Sequence, residues 1–232
     1  MSKINTILVV GLGSIGKRHI RILKEQHQTV KLVVLRHEKC NDIDIEEFGL
    51  ISCVITVEQA LEFKPDAAII ATPATKHIEI ALILAKASIH LLIEKPISAT
   101  SDGVMSLIDI CRSKKIVLMT GYNLRFQPSL QEFYKQIKHK KIGRVLSVRA
   151  EVGQYLPNWR LGSDYRKEVS AQKNLGGGVL LELSHEIDYI GWIFGDYRWV
   201  KAHVSKQSSL EIDVEDNANI VFGIESDRDN EI

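Results

Sequence analysis

A single histidine stands in an apolar stretch near the C-terminal end of the sequence. The stretch reads NLGGGVLLELSHEIDYIGWIFGD over residues 174–196, and His185 has Glu182 three residues before it and Asp188 three residues after it. An imidazole has an unperturbed pKa of ~6.5, so it can accept or donate a proton near neutral pH. The pattern predicts a helix, and a histidine inside an apolar helix is more commonly a packing residue. Both roles stay open for His185 from this stretch alone.

A glycine-rich loop near the start of the chain is a second candidate for chemistry. The loop GLGSIG, residues 11–16, follows the apolar run ILVV and precedes an amphipathic helical pattern. Its first glycine permits a tight turn, its second lets backbone approach a pyrophosphate, and its third lets helix and strand pack closely. The phosphates would then lie at the helix N-terminus. The residues predicted to bind a dinucleotide here are Gly11, Gly13, Ser14, Ile15 and Gly16.

The type of dinucleotide depends on the end of the second predicted strand. A carboxylate that binds the ribose 2′-hydroxyl of NAD is expected about 20 residues after the glycines, and this chain has Leu35-Arg36-His37 there. A guanidinium without a carboxylate suits a 2′-phosphate, because it forms charge-assisted hydrogen bonds to phosphate. Arg36 could also be solvated or stack on adenine, which either cofactor allows. The sequence therefore favours NADP over NAD and leaves both open.

The elements that must position these residues alternate between strand and helix through the first half of the chain. The predicted strands are apolar throughout rather than alternating, which is typical of a parallel sheet covered on both faces. We therefore predict a doubly wound α/β Rossmann domain over residues 1–122 with right-handed crossovers. Its predicted strands are Ile4–Val10, Val30–Leu35, Ser52–Ile55, Asp66–Ala71, Ile89–Ile93 and Ile116–Thr120, and its predicted helices are Ser14–His27, Thr75–Ala87 and Ser101–Lys114.

The alternation stops after about residue 122, which predicts a second, α+β domain over residues 123–232. Three extended segments predict a small, open, mostly antiparallel sheet. An exposed sheet edge needs a partner, so we expect either a homo-oligomer, dimer or tetramer, formed through this sheet, or a domain that is incomplete. The predicted elements are a helix over Phe126–Lys138, strands over Arg144–Tyr155, Trp199–Gln207 and Asn217–Gly223, and the helix that carries His185.

Composition excludes several classes of protein. The formal net charge is +1 and 45% of the residues are apolar, so no charged field indicates nucleic acid or a membrane surface as a partner. The three cysteines, Cys40, Cys53 and Cys111, are odd in number and lack CxxC spacing, which predicts reduced thiols in a cytoplasmic protein. Glycines interrupt the N-terminal apolar run, so we expect neither a signal peptide nor a membrane span. We predict no metal site.

Several segments together resemble one known family. They are ATPATKHIEIALILAKASIHLLIEKP at 71–96, GYNLRFQP at 121–128 and GGGVLLELSHEID at 176–188, together with the glycine loop. In this order they resemble the Gfo/Idh/MocA family of NAD(P)-dependent sugar and polyol oxidoreductases. The segment WRLGSDYRKEVSAQKNLGGG, residues 159–178, is also similar to a bacterial subgroup that acts in surface-sugar metabolism. The resemblance implies an oxidoreductase that takes a small sugar or sugar-nucleotide substrate.

The resemblance also implies roles for individual residues. Lys95 would contact the hydroxyl that is oxidised and stabilise developing alkoxide charge, for which an ammonium is a suitable donor; alternatively it is a surface lysine paired with Glu94. Glu94 and Pro96 would shape the turn near the nicotinamide, and the Lys95–Pro96 bond is a candidate cis peptide. His185 would take the proton from the hydroxyl as hydride leaves its carbon, or supply that proton in ketone reduction.

Other positions are assigned to cofactor or substrate by the same resemblance. Thr72 and Pro73 would line the nicotinamide side, and His77 would reach the cofactor or else lie on a helix surface. Arg125, beside Asn123, would anchor substrate or bridge the two domains. Aromatic and guanidinium groups on the loop before the glycines suit a sugar or the phosphates of a sugar nucleotide, or form a subunit contact. These loop residues are Trp159, Arg160, Tyr165 and Arg166.

Two departures from the family pattern bear on the chemistry. The family has Asp four residues before the histidine, whereas this chain has Leu181 there and its carboxylate, Glu182, one position later. Both positions lie on the same helix face, so we expect Glu182 to orient His185 or to contact substrate. The second domain is also shorter than is typical of the family. Alternatives to simple hydride transfer are therefore a redox-assisted elimination or hydrolysis with transient use of NAD, and a catalytically inactive regulator that binds the cofactor.

Overall fold

The computed structural model describes residues 3–37, 40, 43, 45–160 and 162–224. Contacts between residues divide the chain into two compact units, Met1–Gly121 and Tyr122–Ile232. The first unit contains a six-stranded parallel sheet, and the second contains a two-stranded antiparallel sheet with short helices. The predicted fold class, a Rossmann sheet followed by an α+β part, is confirmed.

The parallel sheet of the first unit has the strand order β3-β2-β1-β4-β5-β6. This order reverses between β1 and β4, and open α/β sheets bind ligands beside such a reversal, at the carboxyl ends of the strands. The glycine loop follows β1, Thr72 follows β4 and Glu94 follows β5, so all three lie at that edge. The strands are Thr6–Val10 (β1), Lys31–Leu35 (β2), Ser52–Val54 (β3), Ala67–Ile70 (β4), His90–Ile93 (β5) and Leu118–Thr120 (β6).

Helices cover both faces of this sheet. Leu8 and Val10 belong to one buried apolar cluster and Ile7 and Val9 to another, as expected because successive strand residues point to opposite faces. This two-sided burial explains why the strands are continuous apolar runs. The helices of the unit are Ser14–Gln26 (α1), Val57–Glu62 (α2), His77–Lys86 (α3) and Val104–Lys114 (α4). The short helix α2, which the sequence analysis did not predict, begins after Thr56, whose side chain accepts a hydrogen bond from the Gln59 amide.

The described part of the second unit contains three α-helices, several short 3₁₀ turns and a two-stranded sheet. The strands pair antiparallel, with a register irregularity between Tyr197 and Trp199. Its elements are Pro128–Lys138 (α5), Val179–Glu182 (α6), His185–Phe194 (α7), Tyr197–Ser205 (β7) and Asn217–Ile224 (β8). Helix α5 begins later than predicted, because Pro128 occupies its first turn and residues 123–126 form a 3₁₀ turn instead.

The predicted strand over Arg144–Tyr155 is wrong. These residues form no regular element, and the Leu146 side chain in their middle is 86% exposed. An alternating pattern describes a strand only when a neighbour pairs its backbone and a core covers its apolar face. Among the described residues, β7 and β8 pair with each other and leave this segment without a strand partner. The open sheet therefore has two strands in the described part of the chain, not three.

The predicted helix around His185 is not continuous. It breaks at Leu183 and Ser184, so His185 begins α7 rather than lying within a longer helix. The Ser184 hydroxyl donates to the Leu181 carbonyl at 3.0 Å, and the Tyr122 hydroxyl lies 3.4 Å from it. A serine that bonds back to the preceding turn competes with the helical hydrogen bonds. The break places the histidine at a helix N-terminus.

The expectation that the cysteines are reduced is contradicted for two of them. Cys40 and Cys53 form a disulfide with a Cα–Cα distance of 5.9 Å, while Cys111 is a buried free thiol whose pKa is raised by burial. Cys53 lies in β3, which pairs with β2, and Cys40 follows β2 along the chain. Strand pairing brings the two together, and sequence spacing alone does not reveal it.

Candidate active site

The glycine loop joins β1 to α1, and its glycines meet different needs. Gly11 has φ +94°, and a Cβ there would lie 2.7 Å from the Ala71 carbonyl oxygen. A Cβ at Gly16 would overlap the Gly11 carbonyl oxygen, which is the close packing of helix and strand that the third glycine permits. By contrast, no atom of the described residues lies within 4 Å of a Cβ built at Gly13. The protein itself therefore requires glycine at the first and third positions, and the second leaves open space for a ligand.

The N-terminus of α1 is suited to an anion. Gly13 precedes the helix without a side-chain cap, and the first turn, which contains Ser14 and Ile15, has no acidic residue. The first amides of a helix lack intrahelical acceptors and carry a partial positive charge. An anionic pyrophosphate can accept hydrogen bonds from these amides, so the residues present fit a dinucleotide.

The end of β4 contributes a buried hydroxyl that the protein does not satisfy. Thr72 Oγ1 is buried and has no hydrogen-bond partner among the described residues. Buried polar groups in proteins are nearly always paired, and an exception indicates a missing ligand or water. Thr72 and Pro73 are the residues predicted to line the nicotinamide side. The unsatisfied hydroxyl fits that prediction, because a carboxamide offers both a donor and an acceptor.

The turn after β5 contains Glu94, Lys95 and Pro96, and its carboxylate is held by a helix. His19 Nε2, on α1, donates to Glu94 Oε1 at 2.7 Å, and the Lys95 amide donates to Glu94 Oε2 at 3.3 Å. Burial opposes ionisation of Glu94, but the hydrogen bond and charge of His19, together with Lys95, hold the pKa of Glu94 below its usual range. The Lys95–Pro96 peptide is cis, as predicted.

His77 lies in the interior, so the interpretation of it as a helix-surface residue is wrong. It is 1% exposed at the start of α3, with Nδ1 2.9 Å from the Pro96 carbonyl oxygen and Nε2 2.8 Å from the Thr72 carbonyl oxygen. Burial lowers the pKa of His77, and the carbonyl hydrogen bonds oppose that effect only in part. The ring thus connects the turns that follow β4 and β5. Its predicted contact with the cofactor stays a prediction.

Arg36 follows β2 at the same edge of the sheet. Its backbone amide donates to the Val54 carbonyl at 3.0 Å, which fixes the residue beside the end of β3. Its side chain is partly exposed. The predicted contact between its guanidinium and a 2′-phosphate stays a prediction.

In the second unit, His185 packs against an aromatic ring. The Tyr122 and His185 rings meet edge to face, with centroids 5.5 Å apart and an interplanar angle of 81°. Because His185 is the first residue of α7, its imidazole lies at a helix N-terminus rather than in a helical core. An imidazole in this position can act as a base toward a substrate hydroxyl.

The three glycines before α6 approach other parts of the same unit. A Cβ at Gly177 would overlap the Val169 carbonyl oxygen, and a Cβ at Gly178, where φ is +106°, would overlap the Glu215 carboxylate. That carboxylate accepts a hydrogen bond from the Leu180 amide at 3.2 Å, so it caps the start of α6. The close approaches of Gly177 and Gly178 are therefore to the protein's own backbone and to Glu215.

Glu182, at the end of α6, lines a cavity of about 410 Å³. Trp159 and Glu215 line the same cavity. The indole Nε1 of Trp159 is buried and has no hydrogen-bond partner among the described residues. Asp216 also lines it, so the cavity combines an aromatic side chain, an unsatisfied donor and three carboxylates, a combination that can bind a polyhydroxylated ligand.

Arg125 and Asp188 form a two-pronged ion pair. Arg125 Nε donates to Asp188 Oδ2 at 2.8 Å and Nη2 donates to Oδ1 at 2.6 Å. The hydrogen bond to Asp188 raises the pKa of Arg125. The structure therefore pairs Asp188, which the sequence analysis considered beside His185, with Arg125. The guanidinium of Arg125 is directed at the Asp188 carboxylate. The predicted contacts of Arg125 and Asn123 with substrate stay predictions.

The cations of the polar loop are also paired within the second unit. Arg160 forms an ion pair with Glu168, and Arg166 bonds to Asp164 and Glu211, each at 2.8 Å. The hydrogen bond to Asp164, followed by that to Glu211, raises the pKa of Arg166. Tyr165 Oη accepts from the Glu211 amide at 3.3 Å. The predicted sugar or phosphate contacts of these residues therefore compete with contacts already present.

Two residues of these sites were missed from the sequence, namely His19 and Glu215. His19 follows the glycine loop by three residues and occupies an ordinary helical position. Its partner Glu94 lies 75 residues away along the chain. Glu215 precedes β8 in a polar stretch and reaches back to the start of α6. A single sequence carries no signal for such long-range pairs, so only the fold reveals them.

Comparisons with known proteins agree with this arrangement. Residues 5–122 match the model for an oxidoreductase family with an NAD-binding Rossmann fold, and residues 130–229 match the Gfo/Idh/MocA C-terminal domain. The levoglucosan dehydrogenase of Pseudarthrobacter phenanthrenivorans is 34% identical over 138 residues, covering 59% of this chain and 35% of that protein. The chain spans well under two thirds of the length of the curated relatives it matches first.

Solved structures show the same fold. GenD2 from gentamicin A biosynthesis, in complex with NAD, matches with a TM-score of 0.81 and 25% identity, over 97% of this chain and 63% of that one. The WlbA dehydrogenase of Bordetella pertussis, in complex with NADH and UDP-GlcNAcA, matches with a TM-score of 0.81 and 20% identity, over 95% and 68%.

No helix among the described residues is long and apolar enough to cross a membrane. Among the same residues, no group of three or more His, Cys, Asp or Glu side chains could hold a metal ion. The two matching family models together cover most of the sequence, and the Rossmann sheet, the glycine loop and the turn after β5 occur in the order that the resemblance implied. The chain belongs to the Gfo/Idh/MocA family of NAD-binding oxidoreductases.

Proposed function

We propose that this chain transfers a hydride between a nicotinamide and a carbinol or ketone carbon of a sugar derivative, an activated or amino sugar. The observation that carries the proposal is the arrangement at one edge of the parallel sheet. A helix N-terminus open to an anion, an unsatisfied threonine hydroxyl and a lysine in a turn held by its neighbours lie at the ends of adjacent strands. This combination suits a dinucleotide and a reacting oxygen on the same side of the sheet.

The residues that would hold the dinucleotide come from three strand ends. The first turn of α1 binds the pyrophosphate through Ser14 and Ile15, and Thr72 bonds the carboxamide. Arg36 binds the 2′-phosphate, so the proposal includes a preference for NADP over NAD. When bound, the nicotinamide supplies the acceptor or donor of hydride.

Lys95 and His185 have different roles in the proposed reaction. The Lys95 ammonium donates a hydrogen bond to the substrate oxygen and stabilises the negative charge that develops there. His185 takes the hydroxyl proton in oxidation and returns it in reduction. Glu182 orients His185 or bonds a substrate hydroxyl.

The cavity beside Glu182 supports a sugar as substrate. Trp159 offers an apolar ring face and an unsatisfied Nε1 donor, and carboxylates on the cavity wall can accept hydrogen bonds from sugar hydroxyls. Exposed apolar side chains on β7 and β8, among them Val200, Val204 and Val221, support assembly of several copies through this sheet.

A cofactor titration tests the first half of the proposal. The chain is heated with NADH, NADPH or neither, and then with UDP-, GDP- and CMP-sugars in addition. A ligand at 100 times its dissociation constant stabilises the folded state by ~2.7 kcal/mol, which gives a clear rise in melting temperature. We expect the rise with NADPH to exceed that with NADH, and a further rise with one sugar class. A chain that melts at the same temperature in every mixture does not bind these ligands, and the proposal fails.

Turnover tests the second half. The member of the panel that adds stability is incubated with the chain, and the absorbance of reduced nicotinamide is followed. We expect Lys95→Ala and His185→Phe to lower kcat by 10²-fold or more, on the order expected for loss of charge stabilisation or of a general base. The matched controls Lys86→Ala and His139→Gln, at exposed positions, should leave kcat unchanged. Product without a net change in absorbance would instead indicate transient use of NAD.

A further inference from the structure

We infer that His19 and His77 are positioning residues for Lys95, one acting on the residue before it and the other on the residue after it. The inference rests on the proposed role of Lys95 in hydride transfer. It adds to that role a pair of side chains that the motif itself does not contain.

The first contact fixes the residue before Lys95. His19 Nε2 lies 2.7 Å from Glu94 Oε1, and the second carboxylate oxygen accepts from the Lys95 amide at 3.3 Å. The Glu94 backbone is also tied to the sheet, because its amide donates to the Ile70 carbonyl at 2.9 Å. Gly121 keeps room for the carboxylate, since a Cβ there would lie 2.9 Å from Glu94 Oε2. The Glu94 side chain is therefore held in one orientation from several sides.

This contact also connects the lysine turn to the cofactor helix. His19 belongs to α1, whose N-terminus is the proposed pyrophosphate site. The His19 and Glu94 side chains are 21% and 20% exposed, so the hydrogen bond is partly shielded from water. Partial shielding strengthens a charge-assisted hydrogen bond relative to one at the surface. The position of the turn that contains Lys95 therefore depends on the helix that would carry the pyrophosphate.

The second contact fixes the residue after Lys95. The His77 ring lies between the Pro96 carbonyl, 2.9 Å from Nδ1, and the Thr72 carbonyl, 2.8 Å from Nε2. The ring is 1% exposed, so water does not compete for either carbonyl. A neutral imidazole has one N–H, so the ring donates a hydrogen bond to one of these carbonyls and contacts the other, and it thereby spans the turns after β4 and β5. The backbone at Thr72 and at Pro96, the residue after Lys95, is thereby held at a fixed separation.

A lysine needs such support more than a rigid side chain does. Its four-carbon stem has many rotamers, so its ammonium is placed only as well as its backbone is placed. Catalytic groups must be held to within ~0.5 Å of their productive positions. Misplacement by about 1 Å can cost ~10²-fold in rate. Loss of either histidine contact should therefore reduce kcat and leave the substrate KM nearly unchanged.

Turnover in a double-mutant design tests the inference. We expect His19→Ala and His77→Phe each to lower kcat by about tenfold or more, while KM changes by less than about threefold. In a Lys95→Ala background the same substitutions should lower kcat no further, because their effect passes through Lys95. A merely structural role would lower kcat by the same factor in both backgrounds, and that result overturns the inference. His19→Gln, which keeps a donor for Glu94, should recover part of the loss, and His27→Gln at an exposed position is the control.

Hydrogen exchange supplies a readout that needs no substrate. The peptide that contains residues 94–97 should exchange faster in His19→Ala and His77→Phe than in the wild type. It should be unchanged in Lys95→Ala, because the lysine side chain does not hold the backbone. Equal exchange in the wild type and both histidine variants contradicts the inference. If His77→Phe does not fold, His77→Gln, which keeps one donor, takes its place in both experiments.

The outcomes separate this inference from the proposed function. If Lys95→Ala retains the wild-type kcat, the proposed role of Lys95 is wrong and the inference is wrong with it. If Lys95→Ala is inactive while both histidine variants keep the wild-type kcat, the proposed function stands and only the positioning role fails.

Discussion

The two members of the Arg125–Asp188 ion pair differ in exposure, so we expect their replacement to change the free energy of unfolding by different amounts. The Arg125 side chain is 42% exposed and the Asp188 side chain is 9% exposed. Removing one member of a buried pair is costly when the remaining charge cannot be solvated, and costs little when it can. Arg125→Ala leaves a buried carboxylate without its cation, whereas Asp188→Ala leaves a guanidinium that water can reach.

We therefore expect unequal losses in the free energy of unfolding. Arg125→Ala should cost about 3 kcal/mol, the lower end for breaking a buried pair. Asp188→Ala should cost about 1 kcal/mol, in the range of a surface pair after solvent screening. The pair Lys135–Glu132 is the control, with a distance of 3.9 Å and side-chain exposures of 60% and 58%. Lys135→Ala should cost about 0.3 kcal/mol.

Urea unfolding followed by tryptophan fluorescence is the assay. All three tryptophans, Trp159, Trp192 and Trp199, lie in the second unit, so the signal reports the unit that contains the pair. Trp192 is the closest reporter, with the Arg125 guanidinium carbon 5.8 Å from its ring centre. Equal losses for the two variants, or a larger loss for Asp188→Ala, would refute the argument from exposure.

Three further predictions concern single residues. Burial lowers the pKa of His77 in the folded state. As pH falls, the unfolded chain therefore binds a proton at this histidine before the folded chain does, and folding stability is lost below about pH 6.5. Between about pH 7.5 and about pH 5.5, the urea midpoint of the wild type, measured by circular dichroism, should drop more than that of His77→Leu. A Cβ in Gly178→Ala meets both a positive φ and the Glu215 carboxylate, and the substitution should cost about 2 kcal/mol in the free energy of unfolding, measured by tryptophan fluorescence. Gly153→Ala, whose Cβ meets no atom of the described residues within 4 Å, should cost far less. Arg36→Asp should weaken NADPH relative to NADH by about tenfold or more in a thermal-shift titration, and an unchanged ratio would mean that Arg36 does not bind the 2′-phosphate.

The first unit could be predicted from the sequence because its elements depend mainly on local pattern. Each strand of the parallel sheet is a continuous apolar run, and burial on both faces is what produces such a run. The glycine loop could be assigned because its context, strand before and helix after, is itself local. Helix α2 was missed because it spans only six residues, too few for a clear period.

The second unit was predicted less well because its elements depend on distant contacts. Arg144–Tyr155 alternates like a strand, but strand formation needs a partner that the described residues do not supply. The break before His185 depends on the Ser184 hydroxyl and on Tyr122, which lies 62 residues from it along the chain. The disulfide between Cys40 and Cys53 depends on the pairing of β2 with β3. None of these contacts is encoded in the spacing of the residues concerned.

The candidate ligand-binding groups differ in whether the protein already pairs them, and the sequence does not reveal this difference. From the sequence, cations are the natural ligands for a sugar phosphate, yet Arg125, Arg160 and Arg166 each bond to a carboxylate of the protein. Two buried groups without a hydrogen-bond partner among the described residues, Thr72 Oγ1 and Trp159 Nε1, are instead neutral. A buried donor without a partner carries a desolvation cost of about 1–3 kcal/mol, which a ligand that bonds to it removes. A ligand that displaces an arginine from its carboxylate must instead replace an interaction of similar strength. Neutral hydrogen-bonding groups are therefore the better candidates for the contacts that give this site its affinity.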